Sequence, residues 1–160
     1  MNVLFIEDDR FWARSYVEEL QTYGFDVVFK ASAEGAIEYL ESHSAVDAIV
    51  LDVMMPTPEG VAQSETSDGQ STGVWLLKQI ADLILTHRIP VWILTNRDAN
   101  QLRETINAFG DDFSQLVTVD SKLDVRSYLL PPYLKGRIEK AREVGLDTES
   151  DVPPTNLTDD

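Results

Sequence analysis

Four apolar runs in this chain each end on a residue able to do chemistry. VLFI leads into Glu7-Asp8-Asp9, AIVL into Asp52, VWIL into Thr95 and LVTVDS into Lys122. Short runs rich in Val, Ile and Leu read as buried parallel strands, and open α/β sheets bind their ligands at the carboxyl ends of such strands. Carboxylates and an ammonium gathered at that edge suggest a cation and a phosphate. Glu7 and Asp8 are adjacent and repel each other unless a hard cation lies between them, and magnesium, which prefers oxygen, fits. An acidic run at a helix start is also an ordinary cap, a role open to Asp9. Asp52 tips the reading towards chemistry, since a carboxylate at the end of a central strand can ligate a metal or attack phosphorus. Forming an aspartyl phosphate, a mixed anhydride, requires neutralisation of charge, which a metal and the Lys122 ammonium would supply. The Thr95 hydroxyl and the backbone N–H groups of the Asp52 to Met54 turn add donors for phosphoryl oxygens.

The rest of the chain must position these groups. Val3 to Ile6 reads as the first strand, followed by a helix carrying Phe11, Tyr16, Val17 and Leu20 and ending at Gly24. DVVF (26–29) is the second strand; Ser32 caps a second helix with Glu34 in its first turn and Ala36, Ile37 and Leu40 as its buried stripe. Ala48 to Leu51 is the third strand. The segment from Val53 to Thr72 is rich in Pro, Gly, Ser, Thr and acids and reads mostly as a mobile loop. A strongly apolar helix from Gly73 to Thr86, a strand VWILT, a helix marked by Leu102, Ile106 and Phe109, a strand from Leu116 to Val119 and a helix begun by Pro131-Pro132 complete the pattern. Five strands alternating with five helices predict an α/β fold, a doubly wound five-stranded parallel sheet covered on both faces. The organisation expected is one domain over 1–147 with an insertion at about 57–72, then an acidic, disordered tail over 148–160.

Composition narrows the function classes. The chain has 160 residues and 43% apolar content, enough for a sizeable core, and no apolar stretch long enough to span a membrane. With 28 acidic against 13 basic residues its formal net charge is −15, which repels nucleic acid and anionic membranes. It has no cysteine, which excludes disulfides and thiolate metal sites, and Met1 leads directly into a strand rather than a signal peptide, so a cytoplasmic location is expected.

EDD after the first strand, LDVMMP after the third, ILT after the fourth and a Lys after the fifth resemble the receiver domain of two-component response regulators. The resemblance covers about residues 1 to 145 and rests on the order and spacing of four motifs. It implies a flavodoxin-like fold with strand order 2-1-3-4-5. It also implies that Asp52 is the phosphoacceptor, that Glu7, Asp8, Asp52 and the Met54 carbonyl hold Mg2+, and that Thr95 and Lys122 contact the phosphoryl group. Such a domain is a phosphoacceptor rather than an enzyme in its own right. The partners implied are a histidine kinase or phosphotransfer protein as donor and a separate effector protein. A homodimer through the face between the fourth and fifth helices, with Leu102, Ile106, Phe109 and Tyr133 as candidate contacts, is also implied; most of these are as well placed for the core. With no output domain in the sequence, the chain reads as a stand-alone receiver.

The chain also departs from the family pattern. Leu123 stands where a Pro usually follows the Lys, Val119 where an aromatic usually reports on phosphorylation, and Asn96-Arg97 where a small residue usually follows the Thr. About a dozen extra residues, Val61 to Thr72, precede the third helix. These motivate an alternative, a pseudo-receiver binding module that signals without phosphorylation. A haloacid dehalogenase type phosphatase would need a second Asp at the position of Met54, and a flavodoxin would need a hydroxyl- and Gly-rich loop where this chain has three acids.

Overall fold

The structure, a computed structural model, describes residues 1–42 and 45–149. The strands are β1 (Asn2–Ile6), β2 (Asp26–Lys30), β3 (Ala48–Leu51), β4 (Val91–Thr95) and β5 (Val117–Ser121). The helices are α1 (Arg10–Tyr23), α2 (Ala33–Ser42), α3 (Thr72–His87), α4 (Ala99–Asn107), α5 (Asp111–Ser114) and α6 (Leu130–Glu149), with single 3-10 turns at Gln63–Glu65 and Ser127–Leu129. All five strands are parallel, in the order β2-β1-β3-β4-β5. The expected tail lies outside the described residues except for Thr148 and Glu149, which belong to α6.

Side chains alternate across a strand, and the two sides of this sheet bury separate cores. Leu4, Ile6, Ile49, Leu51, Val91 and Ile93 pack with α2, α3 and α4, whereas Val3, Phe5, Ala48, Val50, Trp92 and Leu94 pack with α1 and α6. Register aligns the strand ends: Ile6 lies opposite Leu51, Leu51 opposite Ile93, and Thr95 opposite Ser121. Glu7, Asp52 and Lys122 are the residues directly after β1, β3 and β5, so they emerge at one edge. The period of two aims all three towards the face covered by α1 and α6.

Several elements differ from what the sequence predicts. Phe11, placed on the inward stripe of the first helix, is 92% exposed; the inward face of α1 is Ala13, Tyr16 and Leu20, with Trp12 partly buried beside them. Asp9 caps α1 by accepting from the Trp12 amide at 3.0 Å, and this sets the phase of the helix. The fifth strand runs to Ser121 rather than stopping at Val119; as an edge strand bonded only to β4 it carries Thr118, Asp120 and Ser121, which hide its apolar periodicity. The short α5 is absent from the sequence expectation; it follows its cap residue Gly110, where φ is +104°. Of the candidate contact residues, Leu102 and Ile106 are buried in the core, while Tyr133 is half exposed against Trp92.

The 57–72 segment is an ordered loop. Thr66 is fully buried, its hydroxyl paired with that of Thr57; Thr72 Oγ1 donates to Met55 O at 2.6 Å, and the Met55 amide donates to Gly69 O at 3.2 Å. The loop therefore closes on the residues that follow Asp52 and delivers Gly73 against them. A Cβ on Gly73 would lie 2.5 Å from Asp52 O and 2.7 Å from Val53 Cα, closer than any side chain tolerates. Gly73→Ala is expected to lower stability in urea melts by about 1–3 kcal/mol, the usual cost of overpacking against backbone. Gly136→Ala, in α6 with open space around it, should leave stability unchanged or raise it by up to about 1 kcal/mol. Equal melts for the two variants would show that α3 does not depend on this close approach.

Candidate functional site

Three carboxylates and one ammonium meet at the carboxyl edge of the sheet. Oxygen atoms of Glu7, Asp8 and Asp52 lie within 4.8 Å of one another. Lys122 Nζ donates to Glu7 Oε2 at 2.6 Å and lies 3.4 Å from Asp52 Oδ2. Glu7, Asp52 and the Lys122 side chain are almost wholly buried, while Asp8 is exposed at the rim. Asp52 Oδ1 accepts from the Val53 amide at 2.8 Å and, more weakly, from the Met54 amide at 3.4 Å. Glu7 Oε1 accepts from the Asp9 amide at 3.0 Å.

Burial dominates the electrostatics. Desolvation, reinforced by the negative charge of Asp52, pushes the Glu7 carboxyl up to about 8 despite its contact with Lys122. Desolvation also raises Asp52, against the pull of Lys122 and the backbone donors. One ammonium cannot satisfy two buried carboxylates with a third at the rim, so the site carries an excess of negative charge. A donor set made only of carboxylate and carbonyl oxygens, short of positive charge, is suited to a hard divalent cation.

The sequence places Glu7, Asp8, Asp52 and Lys122 at the site, and the structure brings all four together. Thr95 is also at this edge, fully buried at the end of β4; its carbonyl accepts from the Lys122 amide at 2.9 Å and its hydroxyl accepts from the Arg97 amide at 3.0 Å. Met54 follows Asp52 in the turn that donates to the Asp52 carboxylate. Sequence reasoning missed two neighbours, Trp12 and Tyr16. Trp12 places its ring face 4.2 Å from Lys122 Nζ. Tyr16 stacks on Trp12 and its hydroxyl donates to Val125 O, which ties down the loop after β5. Arg97 does not close over Asp52 but turns away to the inserted loop, donating to Gln70 O at 3.0 Å and Ser71 Oγ at 2.7 Å. The aromatic residues at the start of α1 are visible in the sequence, but helical spacing there points to Phe11 rather than Trp12 as the inward residue.

A raised carboxyl pKa means that the folded chain keeps a proton that the unfolded chain has already released. For Glu7 this holds between its ordinary value of 4.5 and about 8. Across that window the folded state binds more protons, so stability falls as pH rises, by at most about 1.4 kcal/mol per pH unit. Urea melts in chelator at pH 5 to 8 are expected to show this decline, and Glu7→Gln should flatten it. A wild-type profile that rises with pH would contradict the burial account.

A family model for the response regulator receiver domain matches residues 3–115. No curated protein sequence matches the chain at a significant level. Among solved structures, a receiver domain protein from Clostridium thermocellum superimposes with a TM-score of 0.67 at 17% identity, covering 89% of this chain and 98% of its own. A CheY-like receiver domain protein from Methanospirillum hungatei JF-1 gives 0.65 at 16% identity, with 90% and 98% covered. A two-component response regulator from Clostridium difficile gives 0.65 at 18% identity, with 88% and 97% covered. These likenesses show the fold, and with the matched family model over more than half of its length the chain belongs to the response regulator receiver domains.

Proposed function

We propose that this receiver takes a phosphoryl group onto Asp52 from a phosphohistidine and passes the signal on through protein contact. The observation that carries this reading is the buried Asp52 carboxylate at the mouth of the sheet with Lys122 Nζ 3.4 Å away. Two backbone amides engage Oδ1, which leaves Oδ2, on the Lys122 side, to attack phosphorus. The Asp52 O–P bond forms as the P–N bond to the donor imidazole breaks, and the imidazole leaves with the bonding electron pair. Lys122 offsets the charge on the transferring group, and the Thr95 hydroxyl, which accepts from Arg97 and keeps its own proton, has that proton to donate to a phosphoryl oxygen. Magnesium, held by Glu7, Asp8, Asp52 and the Met54 carbonyl, would supply the positive charge that the carboxylate cluster lacks.

The donor in this reading is a histidine kinase or phosphotransfer protein, and the effector is a protein surface. Arg88, Arg103, Arg137 and Lys140 line a groove along β5 and α6 together with Asp120 and Tyr133, a mostly basic strip that an acidic protein surface would complement, while the formal net charge of −15 disfavours nucleic acid and anionic membranes. No described helix is long and apolar enough to cross a membrane.

Intact mass after incubation with phosphoramidate, with and without magnesium, tests the assignment. The wild type is expected to gain one phosphoryl group only with magnesium, and Asp52→Asn to gain none while keeping its thermal melt. Uptake by Asp52→Asn would remove Asp52 from its role. No uptake by folded wild type would leave the pseudo-receiver as the reading.

A further inference from the structure

Lys122 depends on surroundings that the backbone alone does not provide. The next residue, Leu123, is 87% exposed. Both ion-pair partners of the ammonium, Glu7 and Asp52, are groups that the reaction changes: Glu7 belongs to the carboxylate cluster that would engage the metal, and phosphorylation moves the negative charge of the Asp52 carboxylate onto phosphoryl oxygens. A further contact of the ammonium is the face of Trp12, 4.2 Å from Nζ to the ring centroid, and its chemistry is the same before and after transfer. Trp12 is itself held firmly. Asp9 accepts from its amide at 3.0 Å in the first turn of α1, and Tyr16 stacks on it with ring centroids 4.5 Å apart. Tyr16 in turn donates to Val125 O, so the first turns of α1 bracket the loop at Lys122 and again three residues later.

We propose that Trp12 is a positioning residue for Lys122: the indole face holds the ammonium beside Asp52 by a cation–π contact while its carboxylate partners change charge. The attraction arises from the ring quadrupole and strengthens in a dry site. This inference rests on the phosphoacceptor reading only for its effect on rate, since the hold on the ammonium exists without phosphorylation.

Trp12→Leu, which keeps apolar bulk without a π-face, and Trp12→Phe, which keeps the face, separate positioning from packing. With phosphoramidate and saturating magnesium, Trp12→Leu is expected to take up phosphoryl about tenfold more slowly than wild type, and Trp12→Phe within about threefold of it, in line with the strength of such contacts. In a Lys122→Ala background, Trp12→Leu should cause no further loss, because a residue that acts through Lys122 has nothing left to position. The exposed neighbour provides a control: Phe11→Leu should change nothing. A Trp12→Leu rate equal to wild type, or equal losses for Leu and Phe that persist without Lys122, would overturn the proposal and leave Trp12 a packing residue. The Lys122 ammonium resonance, read by NMR on the unphosphorylated chain, should be shifted upfield by the ring current in wild type and Trp12→Phe and return downfield in Trp12→Leu. If wild type takes up no phosphoryl group, the phosphoacceptor reading fails, and this resonance still decides the hold: a shift lost in Trp12→Leu sustains it, and an unshifted wild type overturns it.

Discussion

Everything at the carboxyl edge of this sheet follows from an imbalance of buried charge. Glu7 and Asp52 are almost out of water, Asp8 sits at the rim, and a single ammonium serves them. Lys122 lies nearer to Glu7 than to Asp52, yet the Glu7 carboxyl is still raised, so desolvation outweighs the ion pair. A site of this kind is costly to the fold when empty of cations and gains from any positive charge that enters.

The sheet sustains this arrangement through register rather than through special local structure. Parallel pairing brings the ends of β1, β3 and β5 level, and the alternation of side chains sends Glu7, Asp52 and Lys122 to the α1 and α6 side while Thr95 falls in line with Val91 and Ile93 on the other. A slip of one residue in any of these strands would move its functional group to the opposite face. The fully buried runs of β3 and β4 make such a slip costly, because it would exchange the two apolar cores as well. Packing and function are therefore specified by the same residues.

That is also why so much could be read before the fold was known. AIVL and VWILT are unambiguous because buried parallel strands are apolar on both faces, and each ends on the residue that matters. Legibility fell where an element has one wet face. β5 mixes Thr118, Asp120 and Ser121 into its run, which hides its last two residues from an apolar pattern. In α1 the neighbouring Phe11 and Trp12 are both aromatic, so periodicity alone did not set the phase; the Asp9 cap did. The inserted loop has the composition of a mobile segment, and its order comes from hydroxyl pairs and backbone contacts, such as Thr66 with Thr57 and Thr72 with Met55, that no hydropathy pattern encodes.

The inserted loop also supplies the partners of Arg97. Arg97 makes two connections at once: its amide donates to the Thr95 hydroxyl, and its guanidinium reaches Gln70 and Ser71 at the start of α3. At the other end of that span, Gly73 lies against the backbone of Asp52 and Val53, with its amide donating to Val53 O. The turn after Asp52, the first turn of α3 and the loop after β4 thus form one hydrogen-bonded ring around the site. A small residue at position 97 would leave that ring open, whereas arginine closes it. The Thr95 hydroxyl is in this way linked both to the segment leading into α4, which starts two residues beyond Arg97, and to the inserted loop.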